Sequence, residues 1–152
     1  MKQWFLLLAT IAISAGDLSC KQTNDPQIKE TAIMSQGDKI KILVGNKSFT
    51  ATLENNASAK ALRKLLPLTA DMTELNANEK YVDLPSSLPT QASNPGTIKK
   101  GDLMLYGDAT LVLFYEDFKT SYRYTRLGHI DDSTGLREAL GSGNLSVRYE
   151  AE

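Results

Sequence analysis

From residue 38 onward, short apolar runs alternate with turn residues. Ile40-Lys41-Ile42-Leu43-Val44 is β-branched and aliphatic, and Gly45-Asn46 follows. Then Lys47, Phe49, Ala51 and Leu53 alternate with Ser48, Thr50 and Thr52. Two such runs around a Gly-Asn pair predict a β-hairpin. Asn56, Ser58, Ala59, Leu62, Leu65 and Leu66 fit a short helix, with Ser58 as its cap and Pro67 as its stop. Residues 68–75 and 80–84 predict two further strands, and residues 85–100, with Pro85, Pro89, Pro95 and Gly96, a loop. Leu103–Tyr106 and Thr110–Tyr115 predict two strands joined across Gly107-Asp108. Tyr122–Ile130 predicts another strand, Ser133–Leu140 a second helix capped by Ser133, and Leu145–Tyr149 a last strand. Many short strands joined by turns predict a mainly β fold, a closed antiparallel barrel with two short helices, because closure removes exposed edges.

The first residues have another pattern. After Lys2, Trp4 to Ala15 is apolar except for Thr10 and Ser14. A membrane-spanning helix needs about 20 apolar residues, so this run fits the apolar core of an export signal instead. The only Cys, Cys20, follows five residues after Ala15. Residues 1–20 resemble a bacterial lipoprotein signal, in which the Cys is acylated and becomes the new first residue. Ser19 is the small residue expected before it, while Asp17 stands where that pattern has Leu or another aliphatic. The expected organisation is a signal peptide over 1–19, a polar tether over 20–37 and one folded domain over 38–152. The resemblance implies an exported protein held to a bacterial membrane of the cell envelope by a lipid on Cys20. The alternative is plain cleavage near Ala15 or Gly16, giving a soluble secreted or periplasmic protein with Cys20 as a free thiol.

Charge and composition narrow the function classes. Lys+Arg number 17 and Asp+Glu 18, for a net charge of -1. That balance argues against a nucleic-acid partner, which normally selects a basic excess. One Cys and one His exclude Cys-rich zinc sites and multi-His metal centres in a monomer, so neither metal nor cofactor is expected. A monomer is the expected state.

The chain from about Lys39 to Tyr149 resembles the bacterial cyclophilin-like domain family. The resemblance is carried by KILVGNKSFTATL, AKALRKLLPL, ELNANEKYVDLP, NPGTIKKGDLMLYGDATLVLFY and SYRYTRLGHIDDSTGLREALGSGNLSVRYE. It implies a β-barrel with helices closing its ends. True cyclophilins are prolyl isomerases. They lower an amide rotation barrier of about 18–20 kcal/mol, which needs a donor, normally Arg, aimed at the prolyl nitrogen, and an apolar pocket for the ring. Gly128 matches the Gly of the cyclophilin strand-to-helix stretch, and the position of the active-site His, four residues earlier, holds Tyr124. The pocket Trp, the Arg-bearing strand and the Gln-Gly-Gly run have no counterpart. Leu111-Val112-Leu113-Phe114 resembles the strand with paired Phe, so part of the apolar wall, including Phe114, is retained.

Candidate binding residues follow from alternation. Tyr122, Tyr124 and Arg126 share one face of the expected strand. They form either a ligand cleft with stacking surfaces and a fixed positive charge, or a barrel exterior on which amphipathic side chains lie flat. Met104 lines the pocket or belongs to the core. Tyr106 and Tyr115, at strand ends, are expected to pack the rim. His129 has no nucleophile elbow beside it, and Glu54, Glu79 and Asp83 appear as dispersed carboxylates. No catalytic residue is assigned. The expected function is non-catalytic binding of a peptide or small ligand by Tyr122, Tyr124, Arg126, Met104 and Phe114. The alternatives are a diverged prolyl isomerase and a structural or assembly role in an envelope complex.

Overall fold

The computed structural model describes residues 38–152; the expected signal, tether and lipidated Cys20 lie outside the described residues. Ten strands and two helices follow in the order β1 (Lys39–Val44), β2 (Lys47–Leu53), α1 (Ala57–Lys64), β3 (Leu68–Leu75), β4 (Glu79–Asp83), β5 (Thr97–Ile98), β6 (Asp102–Tyr106), β7 (Thr110–Phe114), β8 (Phe118–Lys119), β9 (Thr125–Ile130), α2 (Leu136–Leu140) and β10 (Leu145–Ala151). Eight of them close a barrel in the order β1-β10-β3-β4-β7-β6-β9-β2, and β5 pairs with β8 beside it. Every pairing is antiparallel. Residues in the expected hairpin pair Val44 with Lys47, and Gly45 takes a left-handed φ of 58° in the two-residue turn.

Alternation decides what fills the barrel. Ile40, Ile42 and Val44 of β1, Phe49, Ala51 and Leu53 of β2, Val147 and Tyr149 of β10, and Leu103, Leu105, Leu111 and Leu113 of β6 and β7 form one buried core. Ala59 and Leu62 of α1 and Leu136 and Leu140 of α2 join it. On β6 and β7, residues on both faces are buried, which is why LMLY and TLVLF read as unbroken apolar runs. The outer face of those two strands belongs to a second cluster of Ile98, Met104, Val112, Phe114 and Tyr124, with Tyr81 and Phe118 packed against it.

Both helices start elsewhere than the sequence predicts. The cap of α1 is Asn56, whose side chain accepts from the Ala59 amide at 2.8 Å; such a cap contributes about 1 kcal/mol. Ser58 lies inside the helix, buried, and its hydroxyl donates to the Pro89 carbonyl. Helix α2 begins at Leu136 because Gly135 sits at φ 76°, leaving Ser133 in the preceding turn. The strand expected over 122–130 starts only at Thr125, and the expected loop over 85–100 contains β5. The helix starts follow from a local cap and a left-handed glycine, whereas the two strand boundaries follow from long-range pairing, which local patterning does not record.

One inward-facing polar pair interrupts the apolar interior. Lys80 on β4 is opposite Glu74 on β3 and is fully buried. Its ammonium donates to Glu74, to the Gly141 carbonyl at 3.0 Å and to the Gly143 carbonyl at 2.6 Å. It also lies 5.4 Å from the centre of the Tyr115 ring, and the Tyr115 hydroxyl donates to Glu74 at 2.7 Å.

Candidate functional site

The outer face of β4, β7 and β6 builds a cleft. On β4, Lys80 points inward, so alternation turns Glu79, Tyr81 and Asp83 outward. Register then sets three rows across the sheet. Glu79 is opposite Phe114; Tyr81, Val112 and Met104 are aligned; and Asp83, Thr110 and Tyr106 are aligned. The facing wall is the chain from β8 to Tyr124. It is held in place through its backbone: Tyr124 and Ser93 exchange two amide–carbonyl bonds of 2.9 Å, and the Thr120 amide donates to the Gly96 carbonyl at 3.0 Å. The Arg123 guanidinium adds a bond to the Ala92 carbonyl at 2.6 Å. Between the two walls is a space of about 620 Å³.

Aromatic rings dominate the cleft and support one another. Tyr106 meets Tyr122 edge-on at 6.2 Å and Tyr124 at 5.7 Å. Tyr124 stands edge-on to Phe114 at 5.5 Å, and Phe114 contacts Phe118 at 5.6 Å. Such pairs each add about 0.5–1.5 kcal/mol beyond area burial. The exposures differ sharply: Tyr122 is 63% exposed and Tyr106 47%, while Tyr124 is 5%. Tyr122 and Tyr106 are therefore available to a ligand, and Tyr124 is the ring that braces Tyr106.

The charged groups of the lining are two carboxylates and one ammonium. Glu79 and Asp83 come from β4 and Lys119 from β8. Asp83 accepts from the Thr110 hydroxyl at 2.6 Å. Burial, with a smaller contribution from the charge of Glu74, pushes the Glu79 carboxyl up to about 6. Burial also pushes the Tyr124 hydroxyl up to about 12, with the nearby Glu79 carboxylate adding to it.

Among the residues expected to bind ligand, Tyr122 and Tyr124 line the cleft. Met104 and Phe114 are fully buried in the cluster behind it. Arg126 is not brought to the cleft: it lies on β9, with its guanidinium 3.8 Å from the Asp102 carboxylate. The single strand face expected for Tyr122, Tyr124 and Arg126 does not form, because the tyrosines precede β9 and a register shift on β6 falls between Leu103 and Met104, next to Arg126. Tyr106, expected as rim packing, is instead a wall of the cleft. Glu79, Tyr81 and Asp83 had a usable signal in their two-residue spacing within one short strand. Elsewhere, His129 is exposed and 3.9 Å from Asp131, which already accepts from Lys39 and Thr52. Among the described residues, no three His, Cys, Asp or Glu side chains come together as a metal site.

Comparison with known proteins agrees with this architecture. A model of the cyclophilin-like family matches residues 42–150. No curated protein matches the chain in sequence. Among solved structures, a hypothetical protein from Archaeoglobus fulgidus, determined in solution, is similar in fold. Its TM-score is 0.52 at 18% identity, covering 78% of this chain and 97% of that one.

Proposed function

From the premise that the chain belongs to the cyclophilin-like family, we propose that it is a non-catalytic binding domain that holds a peptide segment or small ligand in the tyrosine cleft. The observation carrying this reading is a cleft of about 620 Å³ whose lining includes four tyrosines and no arginine. Ligand sites typically span about 300–1,000 Å³ and are lined by aromatic groups with a few polar ones. Tyr81, Tyr106, Tyr122 and Tyr124 supply the rings, and Glu79 and Asp83 the polar groups. Prolyl isomerisation needs a cationic donor at the prolyl nitrogen, and the cation in this lining is Lys119, on a short exposed strand.

The test pairs an isomerase assay with a binding titration, using the full chain and Ala-Xaa-Pro-Ala peptides. The expected outcome is saturable binding with no isomerisation above the uncatalysed rate. Tyr106→Ala should weaken binding about tenfold or more, because it removes one exposed wall and unbraces Tyr122. Turnover would make the domain an isomerase, and failure of every peptide to bind would remove the peptide form of the reading.

The reading extends to location. Residues 1–20 carry an apolar run that ends at Ala15, five residues before the only Cys, which supports export and a lipid on Cys20 anchoring the domain at the cell envelope of a bacterium. Expressed in a bacterial host, the chain should partition into the detergent phase, and Cys20→Ala should move it to the aqueous phase. A parent chain already in the aqueous phase would overturn the anchor.

A further inference from the structure

We propose that the cleft selects a positively charged organic nitrogen, a protonated amine or a guanidinium, seated between the tyrosine rings and the Glu79 carboxylate. This rests on the binding reading above and assigns the chemistry of the guest.

Glu79 carries the inference. It is half-buried and faces the cleft, yet among the described residues it has no hydrogen-bond donor and no cation at ion-pair distance. Its neighbour in sequence, Lys80, points to the opposite face and is committed to Glu74. Removing a carboxylate from water without a partner is costly. The Glu79 carboxyl responds as that cost requires: burial and the Glu74 charge raise its affinity for a proton, and no hydrogen bond opposes them. A bound cation would offset the same cost.

Two independent features point the same way. Asn78, beside Glu79 in the lining, has a buried side-chain oxygen with no hydrogen-bond donor among the described residues. An ammonium or guanidinium supplies several N–H donors at once. The rings of Tyr81, Tyr106 and Tyr122 supply the second kind of cation contact, since a cation over a tyrosine face gains about 0.5–2 kcal/mol, more as water is excluded. A neutral guest would leave the Glu79 charge uncompensated, and a guest without donors would leave both acceptors unpaired.

The probes are N-acetylated, C-amidated Ala-Xaa-Pro-Ala peptides with Xaa as Lys, Arg, norleucine, citrulline or Glu, together with butylamine as a free cation. Binding to the full chain is followed by calorimetry at pH 7.5 and 5. The Lys and Arg peptides should bind about tenfold tighter than norleucine and citrulline at pH 7.5. That preference should shrink at pH 5, where Glu79 is protonated, and vanish at both pH values in Glu79→Gln, which keeps the shape of the side chain. The charged or titratable groups around Glu79 are Glu74 on β3, Tyr81 and Asp83 on β4, Tyr106 on β6, Lys119 on β8, and Tyr122 and Tyr124 before β9. The change between the two conditions is assigned to Glu79 itself, so a preference unchanged in Glu79→Gln would overturn the assignment. Butylamine binding without peptide binding, if lost in Glu79→Gln, would support the cation site and give it a free small molecule as guest. Equal binding of charged and neutral peptides would overturn cation selectivity and leave the binding reading standing. Binding of no probe at all would overturn both.

Discussion

Lys80→Met is expected to lower the unfolding free energy by about 3 kcal/mol at pH 7. Lys80 is fully buried and donates to Glu74 and to the carbonyls of Gly141 and Gly143. Methionine keeps most of the stem's packing and removes every donor. Three acceptors then lose their partner, and an unpaired buried acceptor costs about 1–3 kcal/mol, more when charged. Glu74 is 18% exposed at its side chain, so water relieves part of its share. The pH dependence has a definite sign. Burial acts against the Glu74 charge, but hydrogen bonds from Lys80 and Tyr115 outweigh it and hold the carboxyl below its ordinary value. In the parent, that pair contributes stability above the unfolded-state pKa and loses it as pH falls through the lower folded value. In Lys80→Met burial is opposed only by the hydrogen bonds from Tyr115 and the Ala77 backbone, so the proton affinity of Glu74 rises. The deficit of the variant should therefore be largest at neutral pH and smaller near pH 4. Denaturant titrations at both pH values check it. The double variant Glu74→Leu with Lys80→Met should recover more than half of the loss, because it leaves no charge behind. A single variant within about 0.5 kcal/mol of the parent at pH 7 would mean that water reaches Glu74 freely.

Gly128→Ala should destabilise by a similar or larger amount, about 3 kcal/mol or more. Gly128 pairs with Leu53 of β2 on one side and Leu103 of β6 on the other. A Cβ there would lie 2.4 Å from the Thr52 carbonyl oxygen, 3.0 Å from the Leu53 Cα and 3.1 Å from the Thr52 carbonyl carbon. All three atoms are backbone, so no rotamer change makes room, and β9 must move away from a neighbour in the closed barrel. The reason is space, since the φ of Gly128 is not left-handed. Gly45 provides the contrast. It has φ 58° and nothing within 4 Å of an added Cβ, so Gly45→Ala should cost only the conformational penalty of about 1–2 kcal/mol. Thermal melts of the two variants beside the parent should separate them clearly. Equal losses would show that β2 and β9 can part without cost.

The cleft illustrates how far local patterning reaches. Tyr122 and Tyr124 stood out as aromatic residues near a strand, and both line the cleft. Alternation grouped them with Arg126, yet β9 begins after Tyr124, and Arg126 is beside Asp102 instead. Strand extent here depends on Ser93, thirty-one positions back in the chain, bridging to Tyr124. Met104 and Phe114 read equally as lining or core, and only the packing of β5 and β8 over the outer face of the sheet buries them completely. Two-residue spacing puts Glu79 and Asp83 on one face of β4, but it does not say which wall that face meets.

By itself the sequence determined the fold class, the hairpins and most strand positions. Period-two alternation and turn chemistry are local properties, expressed within a few residues of each other. It also contained the resemblance to the cyclophilin-like family. Only the tertiary structure decided which rings meet, which lysine is buried and which carboxylate stands without a partner. Those depend on register between strands far apart in the chain. A one-residue shift in register would exchange the inward and outward faces of β4, sending Glu79 into the barrel and Lys80 into the cleft.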